Sequence, residues 1–106
     1  MVIEWLKFNV DSEVREKFIQ QDEKIWTAAL SNYPGFLGKE VWIEPNALDI
    51  VILTIRWQTR EQWKSVPIKD LVKIENKFST VMREMNISYK MTASREFQIR
   101  KFPYNQ

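Results

Sequence analysis

Six consecutive residues constrain this chain more than any others. Ile50 to Ile55, inside "LDIVILTIRWQT", are five aliphatic side chains and one threonine, and five of the six are β-branched. The run is bounded upstream by the turn residues Pro45 and Asn46 and is too short for a buried helix, so it reads as a strand. It does not alternate between apolar and polar, which means both of its faces are covered and its place is inside the sheet. Each face needs its own layer of apolar structure. A chain of 106 residues has one modest core with which to supply them.

The remaining periodicities supply one of those layers. "VIEWLKFNV" alternates, with Leu6, Phe8 and Val10 on one face and Ile3, Trp5, Lys7 and Asn9 on the other. A helix follows, with Asp11 or Ser12 as N-cap and Glu13 in the first turn, where the helix dipole favours an acid. Its stripe is Val14, Phe18, Ile25 and Ala29, widened by Ile19, Trp26 and Leu30, and it stops near Asn32 before Pro34 and Gly35. "FLGKEVWIEP" then pairs with the apolar run as an antiparallel hairpin turning at Pro45 and Asn46. Thr59 and Gln62 form a capping box that starts a short helix through Trp63. Pro67 opens a longer helix to about Met85, with Leu71, Ile74, Phe78, Val81, Met82 and Met85 on one face. Asn86 is its left-handed stop, and "SREFQIRKF" is the last strand.

This order, βαββαβ, predicts an α+β, ferredoxin-like fold: a four-stranded antiparallel sheet with its helices on one face, in a single domain spanning 1–106. The helices leave Ile3 and Trp5 on the far face together with half of the apolar run. A second copy of the chain is the simplest cover, so Ile3 and Trp5 are assigned to a homodimer interface.

Two absences narrow the chemistry. The chain has no cysteine and no histidine, which excludes zinc sites of the nitrogen and sulfur type, histidine or thiolate haem ligation, and Ser-His or Cys-His nucleophile pairs. No acidic cluster has the spacing to hold a metal, and no cofactor is expected. A formal charge of +2 with acids and bases intermixed gives no footprint for nucleic acid or an anionic membrane. The topology is shared with RNA-recognition domains, but "DIVILTIRW" and "REFQIRK" lack the glycine and aromatic signature those strands need. No apolar stretch has the length of a membrane span and the N-terminus has no signal-peptide block, so the expected location is cytoplasmic.

At "YPGFLGKEVW", residues 33–42, and at the W-x-T-x-E-x-W stretch of residues 57–63, the chain resembles the antibiotic-biosynthesis monooxygenase-like group of dimeric α/β barrel proteins. Pro34 stops the helix, Gly35 permits a positive φ, Phe36 plugs the core, and Gly38 allows close backbone approach. The resemblance implies a homodimer and a cleft for a small aromatic or quinol-like compound, oxygenated without a cofactor. The alternative is a non-catalytic module that binds or senses a ligand in the same cleft.

The candidate site residues follow from residue type and strand parity. Trp63 is read as a cleft wall, or else as a cap on the core. Trp57 continues the Val51, Leu53 and Ile55 face and is read mainly as packing, and Trp26 edges the first helix's stripe; the three together could enclose a flat apolar ligand. Glu4 shares parity with Leu6, Phe8 and Val10 and is the candidate base, although a wet strand end is the competing position. Arg56, Tyr33 and Asn9 are candidates to orient a substrate oxygen, and no spacing rule selects among them.

Overall fold

A computed structural model describes residues 1–101; residues 102–106, which the expected domain and the end of "SREFQIRKF" include, lie outside the described residues. Strand β1 (Val2–Val10) leads to α1 (Arg15–Asp22), a π-helical segment (Glu23–Thr27) and α2 (Ala28–Leu30). The hairpin β2 (Phe36–Glu44) and β3 (Ala47–Trp57) follows, then α3 (Arg60–Lys64), α4 (Ile68–Glu84) and β4 (Tyr89–Gln98). The sheet is fully antiparallel in the order β2-β3-β1-β4, so the apolar β3 is interior.

Parity divides the sheet as the alternation requires. Phe8, Val10, Val51 and Leu53 are buried against Phe18, Ile25, Phe78 and Met82 from the helices. A second cluster gathers Val2, Leu30, Ile55, Trp57 and Val66 at the other end. On the opposite face, Ile3, Trp5, Ile50 and Ile52 remain half-buried, while Trp42 and Phe97 are exposed. The Arg95 guanidinium covers Trp5, 5.4 Å from the ring centroid.

Several local expectations need correction. The first helix begins at Arg15, not after Asp11 or Ser12, because Asp11 Oδ1 accepts the Glu13 N–H at 2.9 Å and closes a tight turn before the helix. The same helix contains a π-helical turn, in which the Ala28 N–H reaches the Glu23 carbonyl five residues back. That extra residue rephases the buried stripe: Leu30 instead of Ala29 follows Ile25 into the core. Strand β4 starts at Tyr89, five residues before the expected "SREFQIRKF", and ends at Gln98. Most of its side chains are exposed, so its backbone pairing with β1 defines it and no apolar pattern announces it.

The stops behave as expected. Asn86 takes φ 61°, and its N–H and that of Ile87 return to the Arg83 and Met82 carbonyls, a Schellman closure of α4. Gly35 takes φ +90°, and a Cβ there would stand 2.6 Å from the Gln62 Cβ, so the glycine seats α3 against the end of the first helical region. Gly38 differs from its expected role. Nothing lies within 4 Å of where its Cβ would be, and it serves instead the φ +149° backbone of the bulge between Phe36 and Gly38. No helix among the described residues is long and apolar enough to cross a membrane.

Candidate functional site

Between the sheet and the helices lies a cavity of about 390 Å³, within the range of small-ligand sites. Its walls are largely apolar and aromatic, with Phe8, Leu53, Ile55 and Trp57 from the sheet and Trp26, Trp63, Val66 and Leu71 from the helical layer. Three carboxylates and one ammonium interrupt this lining: Glu4, Asp22, Glu75 and Lys39.

Trp63 reaches the cavity because α3 is fixed at its start. Thr59 Oγ1 accepts the Gln62 N–H at 3.1 Å, and the Thr59 hydroxyl also meets the Gln62 side-chain oxygen at 3.2 Å, so the capping interaction runs through the two side chains. Trp63 is half-buried and carries the Lys64 ammonium 4.0 Å from its ring centroid. Trp57 does two things. It is 1% exposed and packs edge-on against Phe36 at 5.8 Å, yet one side of it lines the cavity. Its indole N–H is buried without a hydrogen-bond partner of good geometry.

The group facing that N–H is Glu4. The carboxyl sits in the cavity wall and not at a frayed end, paired across from Ile55 on one side and Glu96 on the other. Burial raises its pKa above the usual carboxylate range, and the Trp57 N–H, Lys64 and Lys39 only partly offset this. The N–H is therefore near enough to favour the carboxylate although it is not aligned into a finished hydrogen bond. A carboxyl of raised pKa beside an unpartnered donor can remove a proton from a ligand hydroxyl and stabilise the oxygen left behind.

Three further charged groups at the cavity were not foreseen. Asp22 and Lys39 form an ion pair at 2.5 Å with side chains 3% and 2% exposed. Burial raises the Asp22 pKa above the usual carboxylate range, and Lys39 only partly offsets this. Asp22 Oδ2 lacks an aligned hydrogen bond, but at this separation the ionic contact is the stronger description of the pair. Glu75 accepts the Trp26 indole N–H at 3.2 Å and the Tyr89 hydroxyl at 2.6 Å, and so clamps two aromatic wall residues to α4. Burial first, and then the Glu75 contact, raise the Tyr89 pKa. Asp22 lies four residues after the buried Phe18, and Lys39 pairs across the ladder with the buried Ile55, so helical and strand periodicity both point inward, against the expectation from charge.

Three candidates are not at the cavity. Asn9 is absent from its lining, and its amide donates to Asp49 Oδ2 at 3.5 Å. Arg56 lies between the inward-facing Ile55 and Trp57, so its side chain projects from the opposite face, where it meets Glu40 at 3.6 Å. It cannot orient a ligand held under the helices. Tyr33 packs beside Trp63 at the second core cluster but is not in the cavity lining, because its hydroxyl is drawn to Asp70 Oδ2 at 2.7 Å. That hydrogen bond raises its pKa. Among the described residues no group of three His, Cys, Asp or Glu side chains could hold a metal ion.

The profile of the antibiotic biosynthesis monooxygenase family matches residues 1–65 of the chain. No curated protein matches it in sequence. Solved structures do in fold. SnoaB, a cofactor-independent oxygenase from Streptomyces nogalater, aligns with a TM-score of 0.66 at 14% identity, over 98% of this chain and 97% of its own. A protein of Deinococcus radiodurans, provisionally assigned as an antibiotic biosynthesis monooxygenase, gives 0.66 at 13% identity, over 96% and 95%. A dimeric ferredoxin-like protein from an uncultured marine organism gives 0.62 at 11%, over 96% and 97%. At these identities the likeness is one of fold.

Proposed function

Because this chain belongs to the antibiotic biosynthesis monooxygenase family, we propose that its cavity takes an electron-rich hydroxyarene, phenolic or quinol-like, and oxygenates it with dioxygen and no cofactor. One observation carries the reading: the Glu4 carboxyl, raised by burial, faces the unpartnered Trp57 N–H inside an aromatic-walled cavity. Glu4 takes the hydroxyl proton, and the resulting oxyanion accepts the Trp57 N–H, whose contact with Glu4 favours the charged carboxylate and weakens once Glu4 holds the proton. Trp63 and Trp26 hold the ring and exclude water.

The anion, its charge spread onto a ring carbon that bears hydrogen, gives one electron to dioxygen. The two radicals combine into a carbon–oxygen bond, and Glu4 returns its proton to the distal peroxide oxygen. Loss of the C–H proton with cleavage of the O–O bond gives a carbonyl and water, so one oxygen atom ends in the product and the other in water. Glu4 and Trp57 serve the first step and the proton return; the electrons come from the substrate itself.

The same reading includes a homodimer. Ile3, Trp5, Ile50 and Ile52 form an apolar sheet face that the chain's own helices do not cover, and Thr54 at its middle is already 1% exposed. SnoaB's description as a cofactor-independent oxygenase supports the chemistry, and the marine protein's description as dimeric supports the assembly.

The test is oxygen uptake with a panel of naphthols, naphthoquinols and anthrones. Wild-type protein should consume oxygen with at least one of them, and Glu4→Gln and Trp57→Phe should each lower the rate by ~10²-fold or more, as for a lost general base or a lost oxyanion donor. Binding without uptake would assign the cavity to ligand binding or sensing instead.

A further inference from the structure

A lysine whose side chain is 2% exposed is unusual in an aromatic cavity wall, and the fold has little need of it. An apolar pair of similar volume in place of Asp22 and Lys39 would hold the helix to the edge strand as well or better, because desolvating two charges consumes most of what their attraction returns. The pair does more for the cavity. An ammonium has three N–H donors in a fixed tetrahedron. Asp22 is the one ionic partner of Lys39 among the described residues, and Lys39 lines the cavity alongside Glu4.

Register sets where the two stand. Lys39 pairs with Ile55 and Ile55 pairs with Glu4, so all three occupy one row of the helix-side face, with Ile55 as the apolar floor between. Two strand spacings separate the Lys39 and Glu4 backbones by about 10 Å, on the order of one aromatic ring with a polar substituent at either end. The proton-accepting end of the cavity is Glu4 with Trp57. The donor end is Lys39.

We propose that Lys39, held in place by Asp22, is a second recognition group, which donates to a neutral carbonyl oxygen of the ligand on the side of the ring opposite the hydroxyl bound at Glu4. The inference rests on the hydroxyarene reading above and narrows it to hydroxyaryl ketones and related hydroxyaryl carbonyl compounds. Neutrality is required because Asp22 already balances the ammonium, so the site offers donors with no net charge. Asp22 is a positioning residue; Lys39 touches the ligand.

The test is a comparison of 4-hydroxyacetophenone with 4-ethylphenol, which share the hydroxyl and the ring and differ in the far-side carbonyl. Dissociation constants are read from quenching of tryptophan fluorescence, in wild-type protein and in the double variant Asp22→Leu with Lys39→Met, whose fold is checked by circular dichroism. The ratio of the two constants should shift by at least about tenfold toward 4-ethylphenol in the variant, the worth of one hydrogen bond to a charged donor. A change in hydroxyl binding, as Glu4 loses its Lys39 neighbour, is common to both ligands and cancels in the ratio. Asp22→Ala with Lys39→Leu, which likewise removes both charges, should give the same shift and stands in if the first double replacement fails to fold. An unchanged ratio with both ligands bound overturns the role of Lys39 and leaves Glu4 and Trp57 untouched. Failure of wild-type protein to bind either ligand overturns both readings.

Discussion

Truncating the two tryptophans separated by six positions should have unequal consequences. Trp57 is 1% exposed, belongs to the second core cluster and meets Phe36 edge-on. Trp57→Ala deletes a fully buried indole between β2 and β1 and should cost ~3–5 kcal/mol, as large-to-small core replacements do. Trp63 is only half-buried, and its ring holds a solvent-side lysine worth ~0.5–1 kcal/mol. Partial loss of its buried area adds a similar amount, so Trp63→Ala should cost ~1–2 kcal/mol. In a domain of this size 1 kcal/mol moves Tm by roughly 4–8 °C, so the Tm of Trp57→Ala should fall by about 12–40 °C and that of Trp63→Ala by about 4–16 °C. Urea denaturation followed by far-ultraviolet circular dichroism gives both values, provided the slope with denaturant is unchanged. Trp63→Ala should nevertheless remove most affinity for flat apolar ligands. Equal destabilisation by the two replacements, or ligand binding unaffected by Trp63→Ala, would refute the division of one tryptophan to the core and the other to the wall.

The pH dependence of stability should carry the mark of Glu4. Its folded pKa lies above the usual 4.5, so the folded state binds its proton more tightly than the unfolded chain, and stability declines as pH rises from 4.5 through the raised value. Glu4→Gln should raise Tm at pH 7 relative to wild type and leave it nearly unchanged at pH 4; a variant less stable than wild type at pH 7 contradicts the buried placement. Gly35→Ala should lower stability by ~2–4 kcal/mol, since it combines a φ of +90° with a Cβ placed against Gln62; a fall in the urea midpoint of less than a quarter of this size would show that the turn relaxes freely. Trp5→Glu should dissociate or unfold a homodimer, whose interface should exceed ~1,000 Å². Light scattering that finds only a 12.8 kDa species in wild-type protein at all dilutions would remove the second copy from the account.

The fold was legible because its main elements obey one period each. β3 could be identified from Ile50–Ile55, and α4 from a clean apolar face bounded by Pro67 and Asn86. Where two elements share the burden, the pattern blurred. β4 is an edge strand held by backbone bonds to β1, and most of its side chains face water, so nothing in "YKMTAS" distinguishes it from a loop. The π-helical turn is invisible for a different reason: Ile25, Trp26, Ala29 and Leu30 are all apolar, and only the backbone reveals which of them the extra residue turns inward.

The site was half legible, and the half that was missed is its polar part. Aromatic residues declare themselves, so Trp26, Trp57 and Trp63 could be gathered from spacing and size, and all three meet at the cavity. Charged residues are read as solvated by default, because a buried charge is costly unless it is paired. Pairing is a property of two positions. Asp22 and Lys39 are seventeen positions apart, on a helix and an edge strand, and only their contact offsets the cost of burying either charge. Glu75 is the same case, with its partners Trp26 and Tyr89 on other elements. The converse error has the same origin. Arg56 was assigned to the site by its chemistry, although Ile55 and Trp57 on either side of it already fix its side chain to the other face of the sheet. Strand parity outranks residue type when the two disagree, because turning one side chain through the sheet would require a register shift that exposes the whole of β3. Applied to Lys39, whose neighbour across the ladder is the buried Ile55, that rule alone would have placed an ammonium in the cavity wall.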